Sequence, residues 1–225
     1  MPRKLIGIDL DDVLLDFNTA LCEWHNLKYG TSYTRADIFS FDLKDVWKCP
    51  QEETNKRIVE FYNSEFHPKA LPVPGTVEAI KKLKQNNDRA ESERLSDSKG
   101  VLSSVGANVE VLRPVGRMYD LVIITSKPEY LREQTEIWLQ KYFPNSFKSV
   151  HFTNSFHRNG SKRAKADVCD KLGVSVYIED SIENAKAVVA PNREVLLFDT
   201  PWNQDVTPPG TIRVSSWEEI AERYK

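Results

Sequence analysis

The chain has 225 residues, of which 40% are hydrophobic and 28% are charged, and its formal net charge at pH 7 is −2. This composition is ordinary for a globular protein, and the small net charge argues against a general attraction to a nucleic acid polymer or an anionic membrane. No apolar run approaches the roughly 18 residues that a membrane-spanning helix requires. We therefore expect one large core, or a core with a small second unit.

The cysteines indicate the compartment. Cys22, Cys49 and Cys169 are odd in number and widely spaced, without the pattern of a disulfide framework or a zinc site. We therefore expect reduced thiols. The first strand is predicted to begin a few residues after Met1, which leaves no room for a signal peptide. The sequence thus predicts a cytoplasmic protein that does not enter a membrane.

The first predicted strand ends in a cluster of carboxylates. Residues 5–17 read LIGIDLDDVLLDF, so a short apolar run is followed by Asp9, Asp11 and Asp12. Alternation along an extended chain places Asp9 and Asp11 on the same side, where they can converge beyond the end of the strand. Two negative charges at such a short distance repel each other unless a cation or protons lie between them. The simpler interpretation is a solvated, Asp-rich turn.

A helical segment is predicted to follow this strand. Helical spacing continues to Gly30, and a second amphipathic helix is predicted over residues 50–66, before a Pro-rich return at 71–75. The loop between the two helices contains Phe39 and Phe41. A helical insertion of this size after the first strand predicts a small lid over the carboxylates.

The stretch from about residue 86 to residue 118 interrupts the pattern. It follows an amphipathic helix predicted over residues 76–85, is rich in Ser, Asp, Glu, Arg and Gly, and lacks sustained periodicity. Connections of this length are uncommon in compact domains. We expect a disordered surface insertion, with a regulatory loop as the alternative, and residues 105–111 could form a short additional strand.

The rest of the chain alternates strands with helices. Strands are predicted over residues 121–124, 149–152, 174–178 and 195–198, followed by a strand and helix pair from residue 211. The intervening helices are predicted over residues 129–142, 162–172 and 182–189. In the first of these helices, Ile137 is expected to face the core. The alternation predicts an α/β, Rossmann-like fold with a parallel sheet and right-handed crossovers.

Three of the predicted strands end in polar residues. These are Asp9 and Asp11 after the first strand, Thr125 after the second, and Glu179 with Asp180 after the fourth. The carboxyl ends of parallel strands lie at one edge of a sheet, so these five side chains could meet in one crevice. Carboxylates that oppose one another across two strands form a hard oxygen site suited to Mg²⁺.

These residues, taken in chain order, resemble the four motifs of the haloacid dehalogenase superfamily of phosphohydrolases. The matching positions are Asp9-x-Asp11-x-Val13 for motif I, Thr125 for motif II, Lys165 for motif III, and Glu179 with Asp180 for motif IV. The resemblance implies that Asp9 attacks phosphorus and forms an aspartyl-phosphate. It makes Asp11 the general acid for the leaving oxygen and then the base for the hydrolytic water.

The resemblance also implies which residues bind the phosphate and the metal. The phosphate-binding residues are Thr125, Ser126 and Lys165, and the Mg²⁺ ligands are Asp9, Asp11 and Asp180. Two alternatives stay open, because Lys162 could replace Lys165 and Thr125 could merely cap the following helix. Glu179 stands where Asp is commoner, and we expect it to support the metal ligands without binding the ion.

A narrower resemblance covers most of the chain except the 86–118 stretch. The pieces DDVLLDF, LPVPGTVEAIKKL, TSKP, WLQKYFP and VLLFDTPWNQ are similar to the 5′-nucleotidase, deoxy, cytosolic type C group. This implies a helical cap of the C1 type over residues 17–73. The remainder, residues 1–16 and 74–225, would form the haloacid dehalogenase core.

The substrate that this resemblance implies is a nucleoside monophosphate. Phe17, Phe39 and Phe41 would line a pocket for its base, although Phe17 could equally be a core plug beneath the cap. We therefore predict a Mg²⁺-dependent phosphomonoesterase, most closely a 5′(3′)-(deoxy)ribonucleotidase. The alternatives are a phosphatase for another small ester, such as a sugar phosphate or phosphoglycolate, and a non-catalytic scaffold with the same fold. The sequence contains neither a Walker-type Gly-x-x-x-x-Gly-Lys nor a Gly-x-Gly-x-x-Gly, which argues against an ATP-using kinase or a dehydrogenase.

Overall fold

The computed structural model describes residues 3–86, 119–155 and 164–225. The predicted insertion lies outside the described residues except for Asn86, and its possible strand at 105–111 lies outside them entirely. Lys162, the rival to Lys165, also lies outside the described residues.

A six-stranded sheet organises the described residues, and all of its pairings are parallel. The strands are β1 (Lys4–Ile8), β2 (Tyr119–Thr125), β3 (Ser149–Phe152), β4 (Val174–Glu179), β5 (Glu194–Phe198) and β6 (Thr211–Val214). Their spatial order is β3-β2-β1-β4-β5-β6, so β1 lies between β2 and β4. The predicted α/β fold with a parallel sheet is confirmed.

Among the described residues, the helices lie between β1 and β2, connect later strands, or follow β6. They are α1 (Phe17–Tyr29), α2 (Leu43–Trp47), α3 (Gln51–Tyr62), α4 (residues 76–86), α5 (Arg132–Tyr142), α6 (Lys165–Leu172), α7 (Ile182–Val188) and α8 (Trp217–Arg223). Helix α1 ends where predicted, because Gly30 takes the left-handed conformation with φ of 65°. Helix α2 was not predicted, since five residues are too few to show a helical period. Helix α3 ends four residues earlier than predicted, before a 3₁₀ turn at His67–Lys69.

The register of the sheet brings the polar strand ends together. Ile8 of β1 is opposite Ile123 of β2 on one side and Ile178 of β4 on the other. The backbone N–H of Asp9 donates to the carbonyl of Ile178 at 2.9 Å, which continues the pairing one residue further. The residues that follow β1, β2 and β4 therefore leave the sheet at the same edge.

Alternate residues of the strands pack on the two faces of the sheet. One apolar cluster includes Ile8, Ile123 and Ile178, and the other includes Ile124 and Tyr177 with residues of α6 and α7. Helix α5 packs through Trp138 and Leu139, which are buried, as is Leu131 in the 3₁₀ turn Glu129–Leu131 just before it. The prediction for Ile137 is wrong: its side chain is 64% exposed, because it lies on the side of α5 opposite the sheet.

Gly7 allows β1 to approach β4 closely. A Cβ atom at this position would lie 2.8 Å from Cδ2 of Tyr177 and 3.1 Å from Cγ1 of Val174, both closer than ordinary contact. The Tyr177 hydroxyl passes across β1 and donates to the carbonyl of Ile124 at 3.1 Å. The missing side chain thus makes room for a buried tyrosine that ties β4 to β2 directly beneath the site.

Candidate active site

Lys165 joins the ends of β1 and β4. It is the first residue of α6, and its ammonium lies 2.9 Å from Oδ1 of Asp9 and 2.7 Å from Oε2 of Glu179. All three side chains are buried. Burial opposes the charge on Lys165, but the carboxylates of Asp9 and Glu179 outweigh it and raise the pKa of the ammonium. The lysine is therefore a permanent cation between two buried carboxylates.

Asp180 is fixed from the side of β5. Its Oδ2 accepts a hydrogen bond of 2.8 Å from the indole Nε1 of Trp202, and its carbonyl accepts one of 2.8 Å from Nδ2 of Asn203. Both donors belong to the 3₁₀ turn Pro201–Asn203 that follows β5. The carboxylate is therefore oriented by neutral donors, while the charge of Lys165 is shared by Asp9 and Glu179.

Three buried carboxylates form a cluster at this edge. One oxygen from each of Asp9, Glu179 and Asp180 lies within 4.8 Å of the others. Burial and the charge of Glu179 raise the pKa of both Asp9 and Asp180. Three carboxylates thus share one ammonium, and protons or a further cation must compensate the rest of their charge. The hard oxygen donors of the cluster fit a divalent cation such as Mg²⁺.

The cluster differs from the predicted metal set in one member. The carboxylate of Asp11 is not part of it and forms an ion pair with Lys127 instead, with 2.8 Å between Oδ1 and Nζ. Glu179, expected only to support the ligands, contributes an oxygen to the cluster and also accepts from Ser181 N at 3.1 Å. Although burial opposes ionisation, the Lys165 ammonium lowers the pKa of Glu179, so this carboxylate stays charged.

Lys127 begins a chain of polar contacts behind Asp11. Its ammonium lies 2.9 Å from Nε2 of His67, and Nδ1 of His67 lies 2.7 Å from Oε1 of Gln134. The ammonium must donate to Nε2, so Nδ1 carries the proton that is donated to Gln134. Burial and the Lys127 charge lower the pKa of His67 to about 2, which keeps the ring neutral.

Asp12 closes the turn after β1. Its φ of 57° is left-handed, a conformation that aspartate tolerates better than most residues. Its carboxylate is buried, accepts from the backbone N–H and Nδ2 of Asn18 at 3.1 and 2.7 Å, and forms an ion pair with Arg35. Arg35 also pairs with Asp16 at 2.6 Å and lies over the ring of Trp202, 5.0 Å from its centroid. Asp12 therefore links the turn to the helical segment.

Thr125, the last residue of β2, and Ser126, which follows it, differ in their access to the cavity. Thr125 is buried and its Oγ1 accepts a hydrogen bond of 3.2 Å from the backbone N–H of Lys127. The alternative role as the cap of the following helix is not observed, since Pro128 occupies the position before the 3₁₀ turn Glu129–Leu131. Ser126 lines the cavity described next, whereas Thr125 does not.

A cavity of about 310 Å³ opens above the carboxylates. On the core side its lining includes Asp9, Asp11, Ser126, Lys127, Lys165 and Asp180. On the side of the helical segment it includes Phe17, Asn18, Phe41, Thr54, Ile58 and Tyr62. Phe41 is among these lining residues, and 61% of it is exposed. Phe39 is not among the lining residues and is 62% exposed.

Phe17 combines the two alternatives drawn from the sequence. It lines the cavity, yet only 8% of it is exposed and it packs in the apolar core. Its ring meets Phe61 edge to face at 5.2 Å between centroids and Tyr62 at 5.9 Å. The ammonium of Lys127 lies 5.2 Å from the centroid of the same ring.

Sequence reasoning missed Lys127, His67, Arg35 and Trp202. A lysine before a proline in the TSKP loop is typical of a surface turn, although it follows a strand end that already carries Thr125. His67 and Arg35 lie in the helical segment and reach the site only through tertiary contacts. Trp202 lies in a piece that already showed family similarity, VLLFDTPWNQ, and that similarity was the one available signal.

Comparison with known proteins points to one class. Residues 3–94 match the family model described as 5′ nucleotidase, deoxy (Pyrimidine), cytosolic type C protein. A curated nucleotidase of Clostridium acetobutylicum is 24% identical over 222 residues, which cover 98% of this chain and 93% of that protein.

Solved structures share the fold. A hydrolase of the haloacid dehalogenase-like family from Streptococcus pneumoniae superposes with a TM-score of 0.60 at 14% identity, covering 99% of both chains. A Bacillus subtilis protein assigned as a haloacid dehalogenase hydrolase, solved with bound magnesium, gives 0.54 at 14% identity and covers 100% of this chain and 99% of its own. Among the described residues, no helix has the length and hydrophobicity required to cross a membrane.

The chain is thus similar in sequence to nucleotidases and in fold to hydrolases of the haloacid dehalogenase superfamily, and these similarities together support a phosphatase. Its sequence similarity is to nucleotidases, both in the family model that matches residues 3–94 and in the clostridial relative that matches nearly its whole length. An enzyme is therefore supported over the non-catalytic scaffold considered from the sequence.

Proposed function

We propose that this protein is a Mg²⁺-dependent phosphomonoesterase that hydrolyses nucleoside monophosphates, as a 5′(3′)-(deoxy)ribonucleotidase. The observation that carries the proposal is the position of Asp9. Its carboxylate lies at the floor of the cavity, paired with Lys165 and next to Glu179 and Asp180. A nucleophile, a cation and a metal-binding cluster thus face the same space.

The first chemical step uses Asp9 and Asp11. A carboxylate oxygen of Asp9 forms a bond to phosphorus while the bond from phosphorus to the ester oxygen breaks. Asp11 gives its proton to that oxygen, so the alcohol leaves and an aspartyl-phosphate remains on Asp9. Lys165 balances the charge on the transferring oxygens together with Ser126, which lines the cavity, while Thr125 holds the loop through its contact with the Lys127 backbone N–H.

The second step releases the phosphate. Asp11 takes a proton from a water molecule whose oxygen attacks phosphorus, and the bond between phosphorus and Asp9 breaks. Inorganic phosphate leaves, the carboxylate of Asp9 is restored, and Asp11 is again protonated. Asp11 can serve both steps because its side chain is 26% exposed and lines the cavity.

The metal site proposed here is the carboxylate cluster. Asp9 and Asp180 would bind Mg²⁺, and Glu179 would hold Lys165 while adding negative charge beside them. When bound, Mg²⁺ supplies positive charge to the phosphoryl oxygens. The side chain of Asp11 is left out of this set because it pairs with Lys127.

The helical segment would act as a cap. Residues 17–73 contribute Phe17, Thr54, Ile58 and Tyr62 to the wall above the catalytic carboxylates, so a substrate in the cavity would be enclosed by them. Residues 1–16 and 74–225 would then form the core. This division, the cytoplasmic location and the small-molecule partner all follow from the same family similarity.

A second candidate substrate is a small ester without a base, such as a sugar phosphate or phosphoglycolate. One observation favours it: the Lys127 ammonium and the edge of Phe61 already contact the ring of Phe17. A cavity of about 310 Å³ is also at the lower end of the range for ligand pockets. The contacts of the Phe17 ring with Lys127 and Phe61 leave less of that ring for stacking against a base.

The test is a comparison of phosphate release across substrates. Nucleoside 5′- and 3′-monophosphates, sugar phosphates, phosphoglycolate and p-nitrophenyl phosphate are assayed with Mg²⁺ and with a chelator, using Asp9→Asn as the control. We expect the highest kcat/KM for a nucleoside monophosphate and no turnover with chelator. A higher kcat/KM for a base-free ester would establish the second candidate.

Phe17→Ala sharpens the same comparison. Base stacking contributes about 1–3 kcal/mol where alanine substitution has measured it, or roughly 5- to 150-fold. If Phe17 stacks on the base, kcat/KM falls by about that factor for a nucleotide and changes little for a base-free ester. Equal losses for both substrates would assign Phe17 to the fold or to the position of Lys127.

A further inference from the structure

Lys127 is a buried cation that the established motifs do not use. It is 1% exposed, follows Thr125 by two residues, and its ammonium reaches Oδ1 of Asp11 at 2.8 Å. It also lines the cavity, and it contacts Asp11, which does not belong to the carboxylate cluster. Lys165 is already paired with Asp9 and Glu179, so Lys127 is the lysine available to Asp11.

The surroundings of Lys127 fix the position of its ammonium. The rings of Phe17 and Tyr62 lie 5.2 and 5.1 Å from it, both within the range of a cation–π contact. The neutral ring of His67 accepts one of its hydrogens at 2.9 Å, and Gln134 fixes that ring from behind. Two aromatic faces and an imidazole thus leave Asp11 as the one charged group that the ammonium contacts among the described residues.

We propose that Lys127 is a positioning residue for Asp11, held by Phe17, Tyr62 and His67 so that the Asp11 carboxylate faces the leaving oxygen of the ester. This inference rests on the proposed function, in which Asp11 protonates that oxygen. Without the ammonium, the half-exposed carboxylate of Asp11 is free to rotate toward solvent or toward the metal-binding cluster. Through this contact Lys127 keeps Asp11 apart from Asp9, so the two aspartates that follow β1 have different roles.

If Lys127 positions Asp11, the loss of activity on removing Lys127 should depend on the leaving group of the ester. Alkoxides, including those from nucleoside monophosphates, must be protonated as they leave, whereas p-nitrophenolate leaves without a proton. Misplacing a catalytic group by about 1 Å can cost about 10²-fold in rate. A defect in the position of Asp11 should therefore reduce turnover of alkyl phosphates far more than turnover of aryl phosphates.

The experiment compares wild type with Lys127→Met, which keeps an apolar stem against the two rings but removes the ammonium. We expect kcat for a nucleoside monophosphate or another alkyl phosphate to fall by about 10²-fold, with less than about 10-fold loss on p-nitrophenyl phosphate and little change in KM. Lys127→Arg should recover part of the alkyl-phosphate turnover. Lys186→Met, which removes an exposed lysine paired with Glu183, is the matched control. It should leave kcat unchanged for both the alkyl phosphate and p-nitrophenyl phosphate.

A second variant keeps the test decisive if Lys127→Met does not fold. His67→Leu retains the lysine but removes its acceptor, and should give a smaller loss with the same preference for alkyl phosphates. Equal losses on both esters, or an unchanged ratio between them, would overturn the positioning role. A wild-type protein that hydrolyses none of the esters would instead overturn the proposed function, and this inference with it.

Discussion

Two buried lysines pair with the two aspartates that follow β1, Lys165 with Asp9 and Lys127 with Asp11, and the surroundings of the two lysines differ. Lys165 lies among carboxylates and contacts both Asp9 and Glu179. Lys127 contacts one carboxylate, that of Asp11, and is otherwise enclosed by Phe17, Tyr62 and a neutral His67. One cation is held by opposite charge and the other mainly by ring faces and a neutral acceptor.

The difference separates stability from positioning. Removing Lys165 would leave two fully buried carboxylates without their cation, a situation that is strongly destabilising. Removing Lys127 would leave Asp11, which has access to solvent, so the cost to folding is smaller. Lys165, which contacts the carboxylate cluster, is therefore needed by the fold in addition to its proposed role in the reaction, whereas Lys127 can be tested with less effect on the fold.

The largest expected effect comes from the carboxylate partners of the two lysines. Asp9→Asn should lower kcat by at least about 10⁴-fold on every ester, because an amide keeps the shape of the side chain but is no nucleophile. Asp11→Asn should be severe on alkyl phosphates and milder on p-nitrophenyl phosphate. Thermal unfolding checks that both variants are folded. Normal turnover by Asp9→Asn would show that Asp9 is not the nucleophile.

The next largest effect concerns the contribution of the two ion pairs to the stability of the fold. Lys165→Met should lower the free energy of unfolding by about 3–5 kcal/mol, since Asp9 and Glu179 would be left buried and uncompensated. Lys127→Met should lower it by less. Urea unfolding monitored by tryptophan fluorescence measures both. If Lys127→Met costs as much as Lys165→Met, the contrast between the two lysines does not hold.

The metal site gives the third effect. Asp180→Ala should raise the Mg²⁺ concentration for half-maximal activity by at least about 10-fold, because the cluster offers few protein ligands. Activity measured over a series of Mg²⁺ concentrations gives the half-maximal concentration, and direct titration of Mg²⁺ gives the dissociation constant, for wild type and for the variant. Lys186→Met, which removes an exposed lysine paired with Glu183, serves as the control and should keep the wild-type Mg²⁺ requirement. An unchanged requirement in Asp180→Ala would place the ion on other carboxylates.

The contrast between the lysines also shows how far the sequence could predict the site. Short apolar runs that end in Asp9, Thr125 and Glu179 predict both the strands and the edge where they meet, because parallel strands share one carboxyl end. Lys165 could be placed through family resemblance. Lys127 could not, because its burial depends on rings contributed by the helical segment, and no local pattern encodes that contact.

Within the helical segment, local patterns were a weaker guide for the same reason. Helix α2 is too short to show a period, and its start depends on the Asp42 side chain accepting from Lys44 N at 3.3 Å. The ion pair between Asp12 and Arg35 joins residues 23 positions apart. Phe39 and Phe41 are nearly equal in exposure, and the path of the loop alone decides that Phe41 lines the cavity.

The smallest effect concerns His67, which holds Lys127 only while its ring is neutral. Its pKa is lowered from 6.5 to about 2 in the folded protein, first by burial and then by the Lys127 charge. Below pH 6.5 the unfolded chain therefore binds a proton that the folded protein does not, so the free energy of unfolding falls as the pH falls through the window from 6.5 to about 2.

His67→Gln isolates this contribution, because glutamine keeps an acceptor for Lys127 but does not titrate. Between pH 7 and pH 5 wild type should lose about 2 kcal/mol more stability than the variant, at about 1.4 kcal/mol per pH unit below 6.5. His25 has the same sign, since burial and Arg57 lower its pKa to about 4, and it remains in both proteins. Identical pH dependence in the two proteins would mean that His67 is protonated in the folded state and cannot accept from Lys127.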